Sequence, residues 1–231
     1  VVDGTLDDAV WRRASVSTDF TQRDPNDGEP PSERTEVRVA YDDEAIYFGI
    51  DCLDSKPDSI WAPLTRRDVF AKGERIVINI DARHDHKTGV VFATGPSGWR
   101  WDGITHSDGR TDGSWDGVWQ AKGVIHERGW STEIRIPYHV LRFSPKDEHV
   151  WGIQFVRDIN RNQEHQTWAY WPKDVNGFNS RFGHLVGVKD INPGRSLEML
   201  PFAVGRSSFI PKDDANPDGR ELFGTGGVDF R

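Results

Sequence analysis

A chain of 231 residues with a net charge of −8, 35% hydrophobic and 29% charged, fits one large domain with an appendage or two small domains. The acidic balance excludes nucleic acid as a partner, since a phosphate backbone rewards a Lys/Arg surplus, and no run of about 18 apolar residues is present to cross a membrane as a helix. Burial must lean on ten Trp and twelve Phe, each able to remove roughly 150–250 Å² from water, while the single cysteine, Cys52, excludes an internal disulfide.

The chain opens on Val2-Asp3-Gly4-Thr5-Leu6-Asp7-Asp8-Ala9-Val10-Trp11, a turn leading into a short helical stretch over residues 7–13. No signal peptide precedes it, and a start placed directly at a structural turn is how a processed chain looks, so a periplasmic setting stays open. Val37, Val39 and Tyr41 alternate with Glu36, Arg38 and Ala40, and Asp42-Asp43-Glu44 supplies a polar turn before the apolar run 46–53, which predicts a hairpin. Cys52 shares the alternation of Ile46, Phe48 and Ile50, which predicts a small buried side chain rather than a reactive thiol. Ile76, Ile78 and Ile80 predict the next strand, with another at 90–93 after a turn over 83–89. Later runs are 118–125, 130–136, 151–159, 167–171 and 185–188, and a second short helical piece follows Pro137 at 138–141. Short runs separated by Gly, Asp and Asn turns predict an all-β fold, a single antiparallel β-sandwich over residues 1–190. Asn192-Pro193-Gly194 breaks the pattern; 197–205 reads as one more strand and 212–219 as polar and turn-rich, so 191–231 is predicted to be an extended C-terminal arm.

Few residue patterns here carry chemistry. Gly95-Pro96-Ser97-Gly98 falls one residue short of a nucleophile elbow, and Gly224-Thr225-Gly226-Gly227 lacks the spacing of a dinucleotide loop; no catalytic residue is assigned, and an enzyme is not expected. Trp99, Trp101, Trp115 and Trp119 cluster near Arg100 and Asp102, where flat apolar faces beside hydrogen-bonding groups suit a sugar, although packing alone also accounts for such Trp. Trp99 and Trp101 share one face of a strand by parity. Asp108, Asp112 and Asp116 gather three carboxylates in one loop and are the candidate ligands for a calcium ion, without EF-hand spacing; no other cofactor is expected. Met199 is the only methionine, and the sequence specifies no His–Met pair for haem. His84-Asp85-His86 offers two imidazoles at i, i+2, but no third ligand is evident, and turn polarity accounts for them. Arg157, Arg161 and the polar run 158–166 read as a solvated hairpin, with a partner-docking face the sharper alternative.

Several motifs together resemble the domains grouped with carbohydrate-binding module family 9. These are the opening Asp3-Gly4 turn with Trp11, the hairpin from Thr35 to Gly49, Asn79-Ile80-Asp81, Gly129-Trp130-Ser131-Thr132-Glu133-Ile134-Arg135-Ile136-Pro137, and Trp171-Pro172. Ser114-Trp115-Asp116-Gly117-Val118-Trp119, Leu141-Arg142-Phe143 and Ser180-Arg181-Phe182-Gly183 are similar to a narrower subgroup, the domain that precedes the β-barrel of large bacterial outer-membrane proteins. The final 226–231 resembles the approach to a first barrel strand, so the chain is expected to be either a fragment or a stand-alone copy without its barrel. The resemblance implies a non-catalytic carbohydrate-binding module of the periplasm or cell envelope. Its sugar clamp falls at about Phe70-Ala71 and at Phe178, where sugar-binding members carry Trp, and Val77 stands where they carry an acid. The expected site is therefore Phe70, Trp99, Trp101 and Phe178 as stacking surfaces with Arg100 and Asp102 as polar partners, in a degenerate form. The alternative is an extrinsic structural subunit that docks on a membrane-protein complex or an outer-membrane barrel through the sandwich surface and the arm, since exposed strand-forming segments readily add to another sheet.

Overall fold

The computed structural model describes residues 1–193, 199–212, 214 and 216–230. The chain divides into two compact units, residues 1–194 and 195–231.

In the first unit, period-two alternation sets the strands, because successive side chains on a strand point to opposite faces. A short helix α1 (Ala9–Arg13) leads into β1 (Val16–Ser17), β2 (Thr21–Asp24), β3 (Thr35–Tyr41) and β4 (Ala45–Leu53). Then follow β5 (Arg75–Asp81), β6 (Gly89–Thr94), β7 (Arg100–His106), β8 (Arg110–Asp112), β9 (Gln120–His126) and β10 (Gly129–Pro137). β11 (Glu148–Ile159), β12 (Glu164–Thr167) and β13 (Gly183–Lys189) complete the unit. One sheet has the order β1-β3-β4-β10-β9 and the other, eight-stranded, the order β2-β12-β11-β5-β6-β7-β8, with β13 sharing the edge of β11 beside β12. All pairings are antiparallel.

The core lies between the sheets. Phe48, Ile50 and Trp130 from one meet Ile76, Ile78, Ile80, Phe92, Trp151 and Phe155 from the other, all at or near zero exposure. Cys52 is fully buried among them, and burial pushes its thiol up to about 12; it is an inert packing residue. Trp119 is buried edge-on against Phe92, and Trp115 packs on the same ring, so these two Trp belong to packing.

The distant motifs close on one carboxylate. Glu133 of β10 accepts the N–H groups of Asp3 and Gly4 at 2.7 and 2.9 Å and the Trp11 indole N–H at 2.7 Å. Gly4 sits at φ +93°, and a Cβ there would lie 2.9 Å from the Lys122 carbonyl oxygen. Gly49 makes room for the indole: a Cβ on it would come within 2.8 Å of the Trp11 ring. The opening turn is thus a lid on the outside of the five-stranded sheet, which explains why these scattered residues occur together.

Three expectations change. The 167–171 run is not a strand; β12 ends at Thr167, and the chain then leaves the sheet edge. Arg157 is no part of a solvated hairpin. It is fully buried on the core side of β11 and donates to the carbonyl oxygens of Arg34 and Leu53 at 2.9 and 2.7 Å and to Thr35 Oγ1 at 3.1 Å, tying the two sheets together. Arg161 pairs with Asp54 and Glu33. The expected arm is a hairpin: β14 (Met199–Phe209) pairs antiparallel along its whole length with β15 (Arg220–Phe230). The turn between them contains Asn216-Pro217-Asp218-Gly219, where Gly219 takes φ +63°.

Candidate functional site

The core claims one face of the eight-stranded sheet. On its other, outer face, register aligns Trp101, Ala93, Val77, Val156 and Thr167 in one cross-strand row, and Arg75, Asp158, His165 and Asp24 in another. Phe70 lies on the first row, edge-on to Trp101 at 5.0 Å and to Trp99 at 5.8 Å between ring centroids. Ala71, Ala93, Trp99, Val77 and Trp101 form a small apolar cluster beneath it. The expected stacking residues Phe70, Trp99 and Trp101 are therefore brought together, with Phe70 41% exposed and Trp99 buried.

The expected polar partners are not on that face. Alternation that puts Trp99 and Trp101 outside puts Arg100 and Asp102 inside, opposite Thr94 and Phe92. Asp102 is fully buried and accepts from the Trp119 indole N–H at 2.6 Å, from the Gly117 N–H at 3.0 Å and from Arg67 at 3.3 Å. Burial raises its pKa against those donors. Arg100 donates to the Trp119 carbonyl oxygen. Both hold the 115–119 loop in place.

The polar groups that do face outward form a chain of charges. Arg75 Nε lies 2.5 Å from Asp158 Oδ2, and His165 Nδ1 lies 2.7 Å from Asp158 Oδ1. Asp24 takes Lys173 Nζ at 2.8 Å, whose hydrogen bond holds the carboxyl below its ordinary range. Arg75, Asp158, His165 and Asp24, with Gly73, Asn160 and Trp171, line a cavity of about 390 Å³ open to solvent. Trp171 lines it, and Phe70 lies under the Arg75 side chain that lines it. The Arg75 guanidinium lies 4.6 Å over Phe70, and the Arg23 guanidinium lies 3.7 Å over Trp171, each worth roughly 0.5–1 kcal/mol at such a site.

Phe178 does not form the second platform by itself. It packs against Trp171 at 4.7 Å and Phe182 at 5.0 Å and so supports the Trp. The segment 168–182 that carries both rings lies across the outer face. The Gln154 side chain holds it by donating to the Ala169 carbonyl oxygen and accepting its N–H, and Asn179 donates to Thr105 Oγ1 at 2.7 Å. Trp171 was visible in the sequence as part of Trp171-Pro172; its role depended on knowing that 168–171 leaves the sheet.

The calcium candidates are used elsewhere. Asp108 accepts the N–H groups of Phe178 and Ser180 and the Ser180 hydroxyl. Burial pushes its carboxyl up, but these bonds outweigh it and hold the group below the usual range. Asp112 accepts the Ser114 N–H at 2.9 Å. Asp116 converges instead with Asp68 and Asp102, and Arg67 bonds both Asp102 and Asp116. A guanidinium already supplies positive charge there, and among the described residues Asp108, Asp112 and Asp116 do not converge on one another.

Next to the cavity, Glu74 is 1% exposed and accepts the Asn160 N–H at 3.1 Å. Burial pushes its pKa up to about 7 despite Arg157 nearby.

No family model matches the chain, and no curated protein matches it. Among solved structures it is similar to a carbohydrate-binding module family 9 domain from Caldicellulosiruptor kristjanssonii in complex with cellotriose, with a TM-score of 0.57 and 15% identity over 85% of this chain and 90% of that one. A structure of a family 9 module from the same organism with glucose gives 0.56 and 16%, covering 85% and 92%. A putative carbohydrate-binding protein from Bacteroides uniformis gives 0.57 and 12%, covering 73% and 86%. The fold is therefore a β-sandwich of the family 9 type.

Proposed function

We propose that this chain is a non-catalytic carbohydrate-binding module that takes a sugar on the outer face of the eight-stranded sheet, between Phe70 and Trp171. The observation that carries the reading is a polar cavity of about 390 Å³ lined by Trp171 and by the Arg75 side chain that covers Phe70. Pyranose C–H faces stack on flat rings while hydroxyls need directed partners; here Asp158 and Asp24 accept, Arg75 donates, and His165 completes the row. Support for sugar as the ligand class comes from solved modules of this fold that hold cellotriose and glucose. The setting that goes with this reading is the periplasm or cell envelope, as in the outer-membrane subgroup that Ser180-Arg181-Phe182-Gly183 resembles. Titration with glucose and cello-oligosaccharides, followed by Trp fluorescence, is expected to give a saturable change at millimolar sugar. A flat response across that range contradicts it.

The hairpin favours a second reading, docking on a membrane-protein complex or an outer-membrane barrel. Phe202, Val204, Phe209, Leu222 and Phe223 are all about half exposed or more, and unpaired outer edges of such strands accept further strands. Among the described residues no helix is long and apolar enough to cross a membrane. Removal of residues 199–230 is expected to abolish co-sedimentation with outer-membrane vesicles; undiminished association removes this reading.

A further inference from the structure

The turn between β5 and β6 and the start of β13 bring three imidazoles together that no sequence window contains. His84 and His86 sit in the turn, and His184 is the second residue of β13. In register, Asp81, Gly152 and His184 lie side by side across three strands. The middle position carries no side chain, and a Cβ there would come 3.1 Å from Asp81 Cβ. Ligand-competent nitrogens of all three histidines lie within 4.8 Å of one another.

We propose that His84, His86 and His184 form a binding site for a divalent ion of the zinc class, which ties the β5–β6 turn to β13. Three observations converge on it. The ring centroids are 4.5, 5.0 and 6.2 Å apart, and the rings are mutually tilted rather than stacked. Imidazoles arranged around a tetrahedral ion with Zn–N bonds of about 2.0–2.1 Å place their nitrogens roughly 3.3 Å apart and their centroids about 5 Å apart. The rings thus need only small rotations to close on a metal.

Secondly, His84 Nε2 is buried and has no hydrogen-bond partner among the described residues, an unusual state for a buried polar atom and the state expected of a ligand atom awaiting its ion. Thirdly, the turn is fixed from below. Asp81 accepts the N–H groups of Asp85 at 3.3 Å and His86 at 2.8 Å. This holds both turn histidines at φ +55° and +59°, a conformation that non-glycine residues visit rarely. His184 is exposed, so a fourth coordination position faces water.

The acidic group Asp68, Asp102 and Asp116 shows what distinguishes a site from a cluster. Its oxygens converge equally closely, yet Arg67 is ion-paired with all three carboxylates. Lys146, by contrast, acts on His84 only through space.

The test is titration of the whole chain, stripped by chelator, with Zn²⁺ and Ni²⁺, read by calorimetry and by the melting temperature. One equivalent is expected to bind with micromolar affinity or better, raising the melting point by a few degrees. His184→Ala is expected to weaken binding roughly 100-fold; the residue is exposed, so the variant folds. His139→Ala, equally exposed on the 3₁₀ turn after β10, is the control and leaves binding unchanged. Co²⁺ substitution gives a second readout in the visible spectrum of nitrogen-ligated tetrahedral cobalt. Absence of binding at 100-fold excess of metal over protein, or binding indifferent to His184→Ala, overturns the proposal.

Discussion

The two faces of the eight-stranded sheet are built from alternate residues of the same strands, yet their polar groups differ in what they have left to offer. On the inner face Asp102 is closed in by Trp119, Gly117 and Arg67, and Arg157 by three oxygens of the opposite sheet. On the outer face Arg75 and His165 pair with Asp158, and Asp24 with Lys173, along an open cavity. Burial commits a polar group to the fold; a cross-strand row at the surface keeps lone pairs and donors for a ligand. Proximity in sequence says nothing about which of these a residue does, as Trp101 and Asp102 illustrate.

The largest effect is expected inside. Arg157→Ala strands the Arg34 and Leu53 carbonyl oxygens and removes one of the two arginines that act on Glu74, so it should cost about 3–5 kcal/mol in urea denaturation. A loss under about 1 kcal/mol would mean that the two sheets do not depend on this bridge.

Next is the pH dependence set by Glu74. Its pKa in the folded chain, about 7, lies above the ordinary value of 4.5, so the folded state holds a proton that the unfolded chain releases. Its contribution is present below about pH 4.5 and is lost as pH rises through about 7, a decline on the order of 1–3 kcal/mol at ~1.4 kcal/mol per unit. Glu74→Gln should flatten that part of the stability profile. An unchanged slope in the variant assigns the proton to another group.

On the outer face, Phe70→Ala and Trp171→Ala should each change stability by less than about 1 kcal/mol while weakening sugar binding roughly tenfold or more. Asp112→Ala should do least, within about 0.5 kcal/mol, since it gives up one exposed turn bond. Added calcium should leave the melting temperature of both that variant and the parent chain unmoved.

Much of the fold was legible because hydrophobic alternation is a local signal. It placed β3 to β6 and β9 to β11 to within a few residues, and the Glu133 lid was foreshadowed by motifs at both ends of the contact. The site was legible only in part. Phe70, Trp99 and Trp101 could be grouped by position, but Arg100 and Asp102 were joined to them by adjacency, against the parity that separates them. Trp171 depends on where β12 ends, and β12 itself, four polar residues long, carries no hydrophobic pattern. His184 joins His84 and His86 only through the register of β13 on β11 and of β11 on β5. Register across three strands is a tertiary property, and no window of a single sequence contains it.

Calorimetric titration of cellotriose into the parent chain, Trp171→Ala and Arg100→Ala tests the outer-face account most directly. The parent and Arg100→Ala should bind alike, and Trp171→Ala should lose most of its affinity. Loss of binding in Arg100→Ala with Trp171→Ala unaffected, or no binding by the parent chain at millimolar sugar, would contradict it.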